Sequence, residues 1–141
     1  MKSKTISITL SIIFIFNFTI MMAKAGETPN PVTRQMLAKE ALSNVSDHEL
    51  TAVTIQLEPG VTVPTHVHSG FVFVFVLEGT VRSQLNNGET IEYKAGESWV
   101  EPPGTAHSLT QNPSKTAKAK FLAVFVAKED TKLTVMGKSN P

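Results

Sequence analysis

From residue 51 onward the chain alternates. Over 51–57, Val53, Ile55 and Leu57 fall on one face of an extended segment, because side chains two apart on a strand point the same way. Pro59-Gly60 is a type II turn pair, and 61–67 resumes the extended run. Residues 71–77, Phe-Val-Phe-Val-Phe-Val-Leu, are apolar on both faces. Such a run predicts a central strand covered on each side, by core and by a second sheet or partner subunit. Left open, its phenylalanine face would be an aggregation hazard. Glu78-Gly79 turns the chain into a strand over 80–85, and Asn87-Gly88 is a strong hairpin signal leading to 90–93. A short strand runs through Trp99 and Val100, and Pro102-Pro103-Gly104 breaks it. Strands over 106–110 and 119–127 follow, with 132–136 pairing at an edge. Residues 34–42 read either as a short helix or as an irregular edge strand. Many short strands without a long helical period predict an all-β barrel or double sheet.

The N-terminus follows a different pattern. Residues 6–22 form an apolar run without charge, preceded by Lys2 and Lys4 and followed by Ala23-Lys24-Ala25. Positive n-region, apolar run and small-residue site predict a signal peptide cleaved after Ala25; the alternative is an uncleaved anchor. The expectation is a signal over 1–25 and one exported domain over 26–141, core about 50–128, periplasmic or secreted, with no stable membrane association after cleavage. The segment holds three of the chain's 13 basic residues and none of its 12 acidic ones. The mature balance is therefore slightly acidic, and no nucleic-acid partner is expected. Lys115, Lys118 and Lys120 form the one basic cluster and read as a solvated loop. With no cysteine, stability must come from a packed core, and a lipid anchor on cysteine is excluded.

Three histidines carry the candidate chemistry. His66 and His68 lie two apart on an extended run, so both imidazoles reach one point. His107 follows a second turn-rich frame and could complete a set of nitrogen ligands for a divalent metal. His48, in the unframed stretch Ser46-Asp47-His48-Glu49, reads as a solvated loop residue.

These frames resemble the cupin superfamily over nearly the whole mature chain. The first cupin motif runs Gly, five residues, His-x-His, three or four residues, Glu, six residues, Gly; Gly60, His66, His68 and Gly79 match. The second runs Gly, five residues, Pro-x-Gly, two residues, His, three residues, Asn; Gly96, Pro102, Gly104 and His107 match, with Gln111 at the Asn position and Asn112 beside it. The acid of the first motif is missing, since Val72 holds its place. The resemblance implies a single RmlC-like jelly-roll β-barrel and a metal held by His66, His68 and His107. It also implies open coordination positions for water, dioxygen or a chelating substrate. The family includes three-His iron dioxygenases, so the expected cofactor is Fe, with Zn, Ni, Cu and Mn as alternatives.

Around this set, Gln111 is a candidate partner for a ligand's second nitrogen. Glu101 could accept a proton or orient a ligand, although composition favours a solvated rim carboxylate. Val72 and the neighbouring phenylalanines suggest an apolar pocket for a small, partly hydrophobic molecule. Trp99 and Tyr93 read as core or interface. The expected function is a metal-binding, dioxygenase-like enzyme acting on a small organic substrate. The alternative is a cupin that binds a metal or small molecule without turnover. Sheet packing through 71–77 implies a homodimer.

Overall fold

A computed structural model of the protein describes residues 30–137; the expected signal segment lies outside them. The described residues form eleven strands and no helix. In chain order these are β1 (Val32–Ala41), β2 (His48–Leu57), β3 (Thr62–Val63), β4 (His66–His68), β5 (Phe71–Glu78), β6 (Thr80–Leu85), β7 (Thr90–Lys94), β8 (Ser98–Glu101), β9 (Ala106–Gln111), β10 (Ala119–Lys128) and β11 (Thr134–Met136). One sheet has the order β1-β2-β10-β5-β8 and the other β11-β4-β9-β6-β7, with β3 also on β9. This is an all-β jelly roll. Hydrogen bonding leaves it as two sheets instead of closing a continuous barrel.

The alternation sets the core. Val72, Val74 and Val76 of β5 are buried, as are Phe121, Ala123 and Phe125 of β10 and Ile55 and Leu57 of β2. The opposite face of β5 is open: Phe71 and Phe73 are more than a third exposed. Among the described residues, then, the strand is covered on one side only.

Three local expectations resolve by pairing. Residues 34–41 belong to the edge strand β1, not a helix, because β2 offers β1 nine partners, with a bulge between Met36 and Ala38. Tertiary pairing outweighs the weak local preference. The hairpin after β6 turns one residue earlier than Asn87-Gly88. Asn86 and Asn87 take φ values of 50° and 55°, and Gly88 N–H donates to the Leu85 carbonyl at 2.8 Å, as in a type I′ turn. Asn86 fixes that choice, since its Oδ1 accepts from Ala106 N–H at 3.0 Å and its own N–H donates to the Ala106 carbonyl. His48 is the first residue of β2, not a loop residue. Its Nδ1 meets the Ser46 carbonyl, away from the cavity.

The end of β9 is held by a polar node. Asn112 is fully buried. Its amide donates to the carbonyls of Leu57, Glu58 and Ala117, and its Oδ1 accepts from Ser114 N–H. Backbone groups where the strands end are thereby given partners.

Candidate metal centre

His66 and His68 project from β4 to the same side, as period-two geometry requires, and both are buried. His107 on β9 stands directly opposite His66 in the ladder. The ring centroids of His66 lie 4.8 Å from His68 and 5.1 Å from His107. One nitrogen from each ring falls within 4.8 Å of the others. The three residues singled out by spacing are thus brought together.

Each ring is oriented through its other nitrogen. His66 Nδ1 meets the Pro64 carbonyl at 2.8 Å. His68 Nδ1 meets the Leu133 carbonyl and Thr134 Oγ1, both at 3.2 Å, so β11 and the residue before it act as a brace. His107 Nε2 meets Ser83 Oγ at 2.9 Å. With these partners, His66 and His68 turn Nε2 toward the cavity and His107 turns Nδ1. Such outer contacts fix tautomer and ring direction at a metal site.

Burial keeps all three rings neutral. It lowers the pKa of His66. Burial, then the neighbouring His66, takes His68 down to about 4. Burial, then His66 and His68, takes His107 down to about 3. Neutral imidazoles offer lone pairs, and the protons that would compete with a cation are already disfavoured. Three buried nitrogen donors converging in this way could hold a divalent metal ion.

Glu101 is the residue whose environment sequence reasoning misjudged. It is 0% exposed, not a rim carboxylate. Its strand explains the difference: on β8, Trp99 and Glu101 point inward while Ser98 and Val100 point out. Trp99 Nε1–H donates to Glu101 Oε1 at 2.9 Å, while Oε2 has no hydrogen-bond partner among the described residues. Burial pushes the Glu101 pKa up to about 7, partly offset by the Trp99 bond. Trp99 therefore serves both as core, with its ring 4.5 Å from that of Tyr93, and as the donor that holds this carboxylate.

Gln111 is elsewhere. Its amide donates to Thr62 Oγ1 at 3.1 Å. Strict alternation would place Gln111 on the face of His107, but pairing with β6 skips Ser108, where Leu109 and His107 take successive partners. The bulge brings Thr110 inward instead. Val72 does line the cavity.

That cavity has a volume of about 180 Å³, close to the size that takes a benzene-sized guest. Its walls are largely aliphatic and aromatic, including Val53, Ile55, Phe121 and Phe125. The polar groups are the three histidines, Glu101, Thr110, Thr134 and Arg34.

The family model for the cupin domain matches residues 53–125. The chain is a cupin. Solved structures share its fold. The DMSP lyase DddQ from Ruegeria pomeroyi aligns with a TM-score of 0.63 at 19% identity, over 79% of this chain and 54% of the lyase. This cupin thus spans about half the length of that enzyme. A double-stranded β-helix protein from Klebsiella pneumoniae aligns at 0.60 and 21% identity, over 80% of this chain and 90% of the other. KdgF from Halomonas aligns at 0.56 and 20% identity, over 71% and 82%. At such identities the likeness is one of fold. No curated protein matches the cupin in sequence.

Proposed function

We propose that this protein is an exported, metal-dependent cupin enzyme of dioxygenase type, acting on a small, largely apolar organic substrate. The observation that carries the proposal is the convergence of three neutral, buried imidazoles at an apolar cavity of about 180 Å³. His66, His68 and His107 would hold the ion, Fe ahead of Zn, Ni, Cu and Mn. A bound Fe(II) supplies redox chemistry toward O2 at positions the protein leaves open. In a dioxygenase the substrate takes up both oxygen atoms and supplies the electrons, so no separate reductant is needed.

The chain's own residues define what enters. The aliphatic walls favour a compact apolar body. Thr110 Oγ1 is buried without a hydrogen-bond partner among the described residues, and Thr110 lines the cavity, ready to orient a polar substituent. Arg34 lines the same cavity from β1 and makes no ion pair among the described residues. Its guanidinium lies near enough to His66 to lower that group's pKa. An anionic or enolic group on the substrate would be drawn toward this end.

The neighbour named as a DMSP lyase supports an enzyme on the cupin scaffold. Glu101 supports it too, since it returns a carboxylate to a site that Val72 had left without one. The second reading, binding without turnover, draws its support from Val72 alone. We also propose a homodimer through the open face of β5. Phe71, Phe73 and Leu77 and the adjacent Val100 are each more than a third exposed there, an apolar surface that suits a second copy.

The test is O2 consumption by Fe(II)-loaded protein offered diketone, thiol and diol substrates, with metal-free protein and His66→Ala as controls. Uptake with at least one class, absent from both controls, is expected. Uptake no greater than the controls, with metal bound stoichiometrically, would favour the binding module.

A further inference from the structure

We infer that Glu101 is the fourth ligand of the metal centre: the acid absent at Val72 has moved one strand sideways and still reaches the ion. The inference rests on the metal-centre reading above and adds an oxygen donor to it.

Register carries the first part of the argument. β5 and β8 pair antiparallel with Val72 directly opposite Glu101. Both residues are buried on the cavity side. A carboxylate on β8 therefore enters the cavity beside the position where the first-motif acid would have stood. Because Glu is longer than Val, it spans the lateral offset between neighbouring strands, about 4.8 Å.

The second part is an unmet electrostatic need. A fully buried carboxylate is costly unless both oxygens are satisfied or a cation is near. Oε1 has the Trp99 N–H; Oε2 has no hydrogen-bond partner among the described residues. The basic side chains within 4 Å of it are those of His68 and His107. A structural glutamate would have a second donor. This one instead has Oε2 facing His68 Nε2 across 3.7 Å.

Distance supplies the third part. Oε1 lies 3.3 Å from His107 Nδ1 and Oε2 lies 3.7 Å from His68 Nε2. Ligand atoms bound at zinc-like metal–nitrogen and metal–oxygen lengths stand about 3 to 3.5 Å apart. The carboxylate stands at or near that spacing from two of the three imidazoles, those of His107 and His68. The resulting shell has three nitrogens and one oxygen, and leaves a divalent ion with one net positive charge.

Zn(II) and Co(II) are the probes, with wild type, Glu101→Gln, Glu101→Asp and His66→Ala, each loaded from the metal-free form. Wild type is expected to bind one ion per chain. Its zinc-minus-metal-free infrared difference spectrum should show a carboxylate becoming coordinated, and Glu101→Gln should lose that signal. Glu101→Gln should also shift the visible Co(II) spectrum and weaken the Zn(II) Kd at least tenfold, with Glu101→Asp recovering part of both. The melting curve of metal-free Glu101→Gln checks its fold, and Glu101→Asp keeps the test decisive if it fails. If Glu101→Gln keeps the wild-type spectra and Kd while His66→Ala loses metal, Glu101 is not a ligand and the three-His centre stands. Weakened affinity with an unchanged Co(II) spectrum and no carboxylate signal would also overturn the assignment. If wild type binds neither ion, both readings fall together.

Discussion

Glu101 and the histidines beside it titrate in opposite senses, and the metal-free protein should record both. His68 and His107 bind protons less readily folded than unfolded, with values near 4 and 3 in place of 6.5. Their contribution is full above about pH 6.5 and is lost as pH falls through the folded values. Glu101 is raised from 4.5 to about 7, so its contribution is full below about pH 4.5 and is lost as pH rises through 7. Two imidazoles outweigh one carboxyl below pH 6.5. The melting temperature, measured in chelator, should therefore peak near pH 6.5 by this linkage. Glu101→Gln should abolish the fall on the alkaline side, so that at pH 8 the variant melts above wild type. An alkaline limb identical in both proteins would contradict this assignment of the buried carboxylate. The same residue shows where sequence reasoning stops. His66, His68 and His107 were legible because turn residues frame them at fixed spacings. Glu101 was not, because its side is set by β8 and its position by the register with β5, a contact between segments about thirty residues apart.

At the scale of elements, alternation made most strands legible, and pairing decided the rest. Residues 34–41 show no clean period, and only the open edge of β2 makes them a strand. Gln111 occupies the motif position of an asparagine, but the bulge at Ser108 turns it from the site. The neighbouring Asn112 instead ties the end of β9 to the end of β2 and the start of β10. Asn112→Ala would remove the three bonds its amide donates and the one its Oδ1 accepts. It should destabilise the fold by about 2 kcal/mol or more, read from urea denaturation with an unchanged m-value. A variant within about 0.5 kcal/mol of wild type would show that water replaces those bonds. Gln111→Ala, whose amide reaches Thr62 at the surface, should leave metal affinity unchanged.

For the whole molecule, the two sheets explain why this chain needs no disulfide and why one of its faces asks for cover. The inner faces bury an aliphatic and aromatic core; the outer face of β5 carries exposed phenylalanines. Light scattering after size exclusion should give a dimer at micromolar concentration, and Phe73→Glu should give a monomer that still binds metal. A wild-type monomer would remove the dimer proposal without touching the site. The site itself joins both sheets, His66, His68 and His107 from one and Glu101 from the other, so metal binding should also raise the melting temperature. The most direct test is elemental analysis of purified wild type and His66→Ala after dialysis against micromolar divalent metal. The account predicts close to one transition-metal ion per wild-type chain and less than about a tenth of that in the variant, by analogy with lost zinc ligands. Equal metal in both proteins, or none in wild type, would contradict it.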